Sequence, residues 1–366
     1  MIGFAYLSYA QEVIFAAGAL ARLREAVDRR GWQRLMLCTS HSMRSGRWVS
    51  KIAPGLGKKL VAVFDHVQPH VQDHQVQEAL TLAQEENADA IIGLGGGSPI
   101  GMAKVVGFQS HCPIIAIPTT YAGSEMTPVY GITHTGESPP RKVTVSDPAV
   151  TPSLVVYDPE LTLDLPPQLT ASTGINALAH CLEALYSKTR NPLSTAAAVD
   201  GVRHINSSLF TSFENGRNIK ARSEMLLGSH LAGFSLASVS MGLHHGLCHV
   251  LGGTANIPHG IANSIILPHA IRFNADMTGP QLIPAAEAMG ISSNGSSPTG
   301  VIESMAKAIS ELIGSMRLPQ RLRQVGVGKS DLPRLAELAF QNRTVQNNPK
   351  RITDVAQLEK LLREAW

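Results

Sequence analysis

The pattern of apolar and polar positions divides the chain into two parts near residue 157. In the first part, short apolar runs rich in β-branched residues alternate with stretches in which apolar residues recur at helical spacing. Strands buried on both faces read as such continuous runs, so we predict a largely parallel sheet covered by helices. The predicted strands are "RLMLCT" at 34–39, "LVAVFDHV" at 60–67, "ADAIIGLGGG" at 88–97, "CPIIAIPTT" at 112–120 and "PSLVVYDP" at 152–159.

The second part of the chain has a helical pattern. After Asp158 strand-like runs become rare, and from Leu165 onward apolar residues recur at i, i+3 and i+4, with Gly and Pro punctuating the loops. A chain of 366 residues is long enough for two domains. We therefore predict an α/β domain over residues 1–157 and an all-α domain over residues 158–366.

A glycine-rich turn follows the third predicted strand, and a helix is predicted to begin after it at Pro99. Free backbone N–H groups at the start of such a helix, beside a turn without side chains, can hold a pyrophosphate. The alternative is a turn that only lets strand and helix pack closely, because no P-loop Gly-Lys-Ser/Thr follows and no acid lies about 20 residues on. The candidate cofactor-binding residues are Gly95, Gly96, Gly97 and Ser98.

Hydroxyl side chains follow the next predicted strand. The segment "IPTTYAGSEMTP" at 117–128 carries them at the carboxyl end of that strand, which is where ligands of open α/β sheets bind. By itself this segment is also compatible with an ordinary Ser/Thr-rich turn. Beside the glycine turn, it predicts the second wall of a nucleotide crevice. The hydroxyl-bearing residues are Thr119, Thr120, Ser124 and Thr127.

Histidines are concentrated in "GLHHGLCHVLGGTANIPHG" at 242–260, which holds four of them. His245 and His249 are four residues apart on a predicted helix and share a face, and His259 returns from a second segment after a glycine break. Asn176 and His180 have the same spacing on another apolar helix. Because a buried imidazole without a partner costs about 1–3 kcal/mol, these side chains should meet each other or a metal. Adjacent His244 points about 100° away and is interpreted as structural.

Composition excludes several classes of partner. The net charge is +3, but Lys and Arg are scattered, so we expect no nucleic-acid partner. No apolar run reaches membrane-spanning length, so we expect no membrane partner. The four cysteines have neither zinc-like nor disulfide-framework spacing, which fits a reducing compartment, and we expect a cytoplasmic protein.

Four motifs together resemble the iron-containing alcohol dehydrogenase family, and within it the maleylacetate reductases most. These motifs are "GGGS", "PTTYAGSE", "DPELTLDLPPQLTASTGINALAH" and "HHGLCHVLGG…PHG", and the resemblance covers about residues 10 to 275. It implies an α/β dinucleotide-binding domain followed by an all-α catalytic domain, with NADH or NADPH as cofactor and a small-molecule substrate. It also implies a homodimer, since family members commonly form dimers, and a role in aromatic compound catabolism.

The resemblance also assigns roles to individual residues. Asn176, His180, His245 and His259 fall where the family holds a divalent metal, and His249 falls beside the nicotinamide. Lys142, in "RKVTVSDP", would lie near the cofactor ribose. All five of the named histidine and asparagine residues are therefore candidate catalytic residues.

Three departures from the family pattern bear on metal and cofactor. Metal-dependent members carry Asp where this chain has Asn176, and tend to carry Asp where it has Gly101. Three neutral imidazoles and an amide hold a hard divalent ion less well than a set with an anion, so we expect no metal. If Zn²⁺ or Fe²⁺ binds, its ligands are His180, His245 and His259. The first strand ends in Thr39 and Ser40 rather than an acid, so NADPH should be accepted as well as NADH.

Other departures leave the substrate open. Maleylacetate reductases usually read "HHKLCH", and Gly246 removes the cation that would suit a dicarboxylate. We expect reduction of maleylacetate or a related small oxo or enoyl acid, with His245 as hydrogen-bond donor and general acid, oriented by His180 or His259. One alternative is a Zn- or Fe-dependent alcohol or aldehyde dehydrogenase. Another is a family scaffold used for a non-redox reaction or for binding alone.

Overall fold

The computed structural model describes residues 3–136 and 141–366, without the side chains of Arg141 and Lys142. The chain forms two compact units, one of residues 8–165 and one that combines residues up to Leu7 with residues 166–366. The division therefore falls after Leu165 rather than at the predicted 157/158. Asp158 ties the additional residues to the first unit, because its carboxylate accepts from the backbone N–H groups of Gly18 and Leu20, both at 3.0 Å.

The first unit is built on a six-stranded sheet in which every neighbouring pair is parallel. The order across the sheet is β1-β8-β5-β4-β2-β3, and β6 and β7 form a separate antiparallel pair. The strands are β1 (Glu12–Phe15), β2 (Leu35–Cys38), β3 (Leu60–Phe64), β4 (Ala90–Gly95), β5 (Ile114–Pro118), β6 (Val129–His134), β7 (Arg141–Ser146) and β8 (Leu154–Tyr157). All five predicted strands form within this sheet.

Helices cover both faces of the sheet, which is why its central strands are apolar throughout. One buried cluster packs α1 and α3 against one face, and another packs α4 and α5 against the other. Helices of this unit are α1 (Leu23–Arg29), α2 (His41–Arg44), α3 (Arg47–Leu56), α4 (Asp73–Glu85) and α5 (Gly97–Gln109).

The second unit is helical, so the predicted α/β-plus-helical fold class is confirmed. Its first long helices form where the apolar spacing predicted them, and Asn191 and Pro192 begin the second of these with a capping box. The helices are α6 (Pro167–Tyr186), α7 (Pro192–Glu214), α8 (Ile219–Ala237), α9 (Leu243–Ala255), α10 (His259–Ala288), α11 (Pro298–Ser315), α12 (Leu332–Gln341), α13 (Arg343–Gln346) and α14 (Val355–Glu364). Within the residues described, no helix combines the length and apolar character needed to cross a membrane.

Candidate functional site

The candidate residues fall into two groups, one in each unit. In the first unit, β3 lies on one side of β2, at the edge of the sheet, and β4 lies on the other side. The strands that follow, β5 and β8, continue away from β4, so the direction of strand addition reverses between β2 and β4. The point between β2 and β4 is therefore the topological switch point, where open α/β sheets bind ligands at the carboxyl ends of their strands. Thr39 follows β2, and its hydroxyl donates to the carbonyl oxygen of Leu94 in β4 at 2.9 Å. Thr39 thus lies directly beside the glycine turn.

Close packing explains part of that turn. Gly95 has a φ of +141°, and a Cβ there would lie 2.8 Å from Cγ of Pro99. A Cβ on Gly96 would lie 3.1 Å from Cγ2 of Thr120. At Gly97, where α5 begins, the nearest atom would be 4.0 Å away, so packing does not demand glycine there. The packing alternative thus accounts for Gly95 and Gly96 but not for Gly97.

Lys104 binds the hydroxyl-bearing segment at 117–128 through its ammonium group. The sequence analysis did not single out this residue. Lys104 is fully buried on α5, and its ammonium donates to the carbonyl oxygens of Ser124 at 2.5 Å, Thr127 at 2.6 Å and Val129 at 2.9 Å. Burial lowers the pKa of Lys104 to about 7, although the nearby carboxylate of Glu125 opposes this shift. The available signal was a single lysine on an otherwise apolar helix.

Replacing Lys104 should loosen this segment. Lys104→Met keeps the side-chain volume but removes the ammonium donor from three carbonyl groups, of which, among the described residues, only that of Ser124 keeps other donors, from Thr127. We therefore expect a loss of about 1–3 kcal/mol of stability. Affinity for NADH should fall with it, if the segment binds cofactor. Thermal unfolding and cofactor titration measure the two effects, with exposed Lys58→Met as the matched control. An unchanged unfolding midpoint in Lys104→Met would show that these hydrogen bonds contribute nothing.

Lys142 lies in β7, but its side chain is outside the part of the chain that the structure describes. Its assignment to the cofactor ribose therefore stays a prediction. Ser98, by contrast, is described, and its hydroxyl accepts from the backbone N–H of His70 at 3.2 Å.

The second group is the histidine cluster, which the helical unit brings together as predicted from the spacing. His180 on α6 and His245 on α9 stack with ring centroids 4.8 Å apart and an interplanar angle of 18°. His259, the first residue of α10, lies 6.1 Å from His245 and 5.8 Å from His249 between ring centroids. Asn176 is buried one turn before His180. Three helices therefore contribute to one cluster.

Burial separates the cluster into an inner and an outer part. His180 and His245 are buried, whereas His249 and His259 are exposed. Burial lowers the pKa of His180 well below the usual histidine value, and the neighbouring imidazole of His245 lowers it further. Nδ1 of His180 and Nε2 of His245 have no hydrogen-bond partner among the described residues. The inner part thus holds two buried ring nitrogens that no described residue satisfies.

Glu183 is the residue that contacts His245 through a hydrogen bond, rather than His180 or His259. Its carboxylate pairs with Nδ1 of His245 and accepts from the backbone N–H groups of Gly242 and His244, both at 3.0 Å. These N–H groups belong to the N-terminus of α9, where an anion is favoured. Burial raises the pKa of Glu183, and the histidine charge and these N–H groups oppose the shift. The sequence signal was an acid three residues after His180 on an apolar helix.

His244 occupies a structural position, as its spacing predicted. It is fully buried, and its Nε2 lies 2.6 Å from Oδ1 of Asn263 on α10. The amide of Asn263 in turn donates to the carbonyl oxygen of His259 at 2.7 Å. This chain of hydrogen bonds fixes the start of α10 against α9, and thereby the position of His259.

Gly246 is required by packing. A Cβ on this residue would lie 2.4 Å from Cγ2 and 2.7 Å from the backbone nitrogen of Val345 in α13. Because the contact includes backbone, which cannot rotate away as a long side chain does, a side chain fits at this position only if α13 moves. The lysine of the maleylacetate reductase pattern would require the same movement.

The cluster lacks the anionic oxygen ligand that a divalent metal site usually has. Asn176 offers a neutral amide where such a site needs an anionic oxygen. Across residues 3–136 and 141–366, no group of three His, Cys, Asp or Glu side chains is arranged to hold a metal ion. The rings of His180 and His245 stack face to face.

Comparison with known proteins identifies the family. The sequence profile described as "Iron-containing alcohol dehydrogenase" matches residues 10–159, and "Fe-containing alcohol dehydrogenase family, C-terminal" matches residues 170–366. The chain belongs to the iron-containing alcohol dehydrogenase family. The resemblance seen in the motifs is thereby confirmed, and this member of the family is an NAD(P)-dependent oxidoreductase.

Several relatives within the family are similar over nearly the whole chain. A maleylacetate reductase from Burkholderia cepacia is 38% identical over 342 residues, which are 93% of this chain and 92% of its own. The crystal structure of maleylacetate reductase from Agrobacterium tumefaciens has a TM-score of 0.90 at 33% identity, covering 100% of this chain and 99% of that one. A 1,3-propanediol oxidoreductase structure has a TM-score of 0.94 at 31% identity, with 100% of both chains covered.

Proposed function

We propose that this chain reduces maleylacetate, or a closely related small oxo or enoyl acid, with NADH or NADPH and without a bound metal. The observation that carries the proposal is the buried histidine cluster with an amide, Asn176, at the position of the anionic ligand. Its similarity to maleylacetate reductases along almost the whole chain supports the substrate class.

The reaction needs a hydride at carbon and a proton at the oxygen or enol end of the acceptor. NADH or NADPH supplies the hydride when bound. We assign transfer of this proton to His245, whose imidazole is buried, stacked on His180 and paired at Nδ1 with Glu183. Burial lowers the pKa of this imidazole to about 3, so the ring is neutral at rest and takes up a proton from solvent as it passes one to the acceptor. We assign Asn176 to positioning the substrate through its amide. The rings of His249 and His259 are exposed, with centroids 6.5 and 6.1 Å from that of His245.

Use of both NADH and NADPH is supported by the end of β2. An acid at this position would bind the ribose hydroxyls and repel a 2′-phosphate, whereas this chain has Thr39 and Ser40. The hydroxyl of Thr39 donates to the carbonyl oxygen of Leu94. Because this side chain is uncharged, it does not repel a 2′-phosphate. We therefore expect measurable turnover with either cofactor.

The recognition of carboxylates must use a different cation from the one at position 246 in the relatives' pattern. Gly246 carries no cation, and a side chain there would require α13 to move. This difference is the specific reason to keep the alcohol or aldehyde dehydrogenase function as a second candidate, as in the 1,3-propanediol oxidoreductase of similar structure.

The test is oxidation of NADH and of NADPH, followed at 340 nm, with maleylacetate and with a panel of small aldehydes and ketones. We expect kcat/KM for maleylacetate to exceed that for any simple aldehyde, with both cofactors active. Preferential turnover of aldehydes would favour the second candidate. Cofactor that binds but is never oxidised by any acceptor would contradict both and favour a non-redox role.

A further inference from the structure

A cavity of about 340 Å³ lies between α10 and α14 in the helical unit. The side chains that line it include His269, Arg272 and Phe273 on α10 and Gln357, Lys360 and Glu364 on α14. Their spacings of three and four residues put each set on one face of its helix. Because His269 comes ten residues after His259, the cavity lies about 15 Å along α10 from the histidine cluster. It is therefore separate from the candidate active site.

Two of the cations that line this cavity have a carboxylate partner, and a third has none. Arg272 pairs with Glu303 at 2.8 Å, and Lys350 pairs with Asp276 at 3.0 Å. Lys360 is exposed, and it has no ion-pair or hydrogen-bond partner among the described residues. The ammonium of Lys360 is therefore available to an anion that enters the cavity.

The surroundings of His269 are positive as well. Burial, followed by the guanidinium groups of Arg272 and Arg321, lowers the pKa of its imidazole to about 4. The ring is thus neutral at neutral pH, and one of its nitrogens carries a hydrogen that can be donated. Among the described residues that line the cavity, Glu364 is the only acid. Even with the two paired acids counted, four cations meet three carboxylates.

We propose that this cavity binds a small oxyanion with two or more negative charges, a polycarboxylate or a phosphate compound, through Lys360, Arg272 and His269. Lys360 offers its ammonium and His269 its ring N–H. Arg272 uses Nε and Nη2 for Glu303, which leaves Nη1 as a donor. The volume is within the range of small-molecule sites. This binding is independent of the reaction proposed for the histidine cluster.

NMR of the histidine ring Cε1–H groups in the full chain tests the proposal, with citrate and inorganic pyrophosphate added in separate titrations. His269→Gln assigns the His269 signal by its loss. We expect a saturable shift of this signal with at least one probe, and sodium chloride at equal ionic strength should not produce it. The bound anion should also raise the pKa of His269, because it opposes the field of Arg272 and Arg321.

The two probes distinguish the two sources of such an anion. Saturation with citrate alone identifies a polycarboxylate ligand, and saturation with pyrophosphate alone identifies a phosphate compound. Saturation with both supports the chemistry that they share, and each of these outcomes supports the site.

Lys360→Met should weaken binding of the probe about tenfold, because it removes one charged donor. The matched control is Lys307→Met, which removes an exposed lysine from α11, where it lies 3.9 Å from Glu311. This variant should bind the probe as the wild type does. Both lysines are exposed, so both variants should fold.

Two results would overturn the proposal: no saturable shift of the His269 signal with either probe, or equal affinities in the wild type and Lys360→Met. The wild-type titrations answer the first question without any variant. Since the signal belongs to His269, a probe that binds elsewhere in the chain is not mistaken for binding in this cavity. Failure to reduce maleylacetate would count against the proposed function and leave the anion site standing.

Discussion

His245→Ala should lower kcat for maleylacetate reduction by about 10²–10⁴-fold, the usual contribution of a positioned proton donor or acceptor. The imidazole is buried against His180 and Glu183, and alanine has no group that can carry a proton there. Affinity for NADH should change little, because the residues predicted to bind the pyrophosphate and the ribose lie in the first unit, whereas His245 belongs to the helical unit.

Pre-steady-state oxidation of NADH measures the rate of hydride transfer, and a separate cofactor titration measures the affinity for NADH. His204→Ala is the control, since His204 pairs with Glu224 in the same helical unit without contacting the cluster. It should keep the wild-type rate. A wild-type rate in His245→Ala would remove this residue from the mechanism and leave Asn176 and His180 as the remaining buried candidates.

Gly246→Ala should destabilise the chain by about 1–3 kcal/mol, the usual effect of overpacking. The new methyl group would lie 2.4 Å from Cγ2 and 2.7 Å from the backbone nitrogen of Val345, so α13 has to move. In the same helix, Gly253 is exposed and has nothing within 4 Å of a built Cβ. Gly253→Ala should therefore stabilise α9 by up to about 1 kcal/mol through helix propensity.

Thermal or denaturant unfolding of the two variants compares an identical chemical change in two environments. Opposite signs are expected for Gly246→Ala and Gly253→Ala. Equal stability would show that α13 adapts to a side chain at position 246. If α13 adapts, Gly246→Lys should restore the cation of the maleylacetate reductase pattern. If it does not, Gly246→Lys should be unstable and should not bind substrate more tightly.

The main sheet could be predicted from sequence because its strands are buried on both faces. Continuous runs such as residues 90–95 and 114–118 have few other interpretations at that length. Strand β1 was missed because it is four residues long, begins with Glu12 and pairs at the sheet edge. The pair of β6 and β7 was also missed, because it stands outside the main sheet and carries polar residues along both strands.

The membership of the histidine cluster could be predicted from helical spacing, but its hydrogen bonds could not. Asn176 and His180, or His245 and His249, are one turn apart, and this spacing puts them on one helix face. The pairing of Glu183 with His245 joins residues 62 apart through the packing of α6 on α9. Likewise, the contact of Gly246 with Val345 depends on where a distant helix packs. Such contacts follow from tertiary structure, which local pattern does not encode.

The most direct test of the central proposal is to measure metal content and kcat for maleylacetate on the same EDTA-treated preparation, then to add Zn²⁺ and Fe²⁺ separately. The neutral donor set around Asn176 predicts full activity in protein that holds far less than one metal ion per chain, with no gain on addition. Activity that disappears with the metal and returns in proportion to bound Zn²⁺ or Fe²⁺ would contradict the metal-free mechanism.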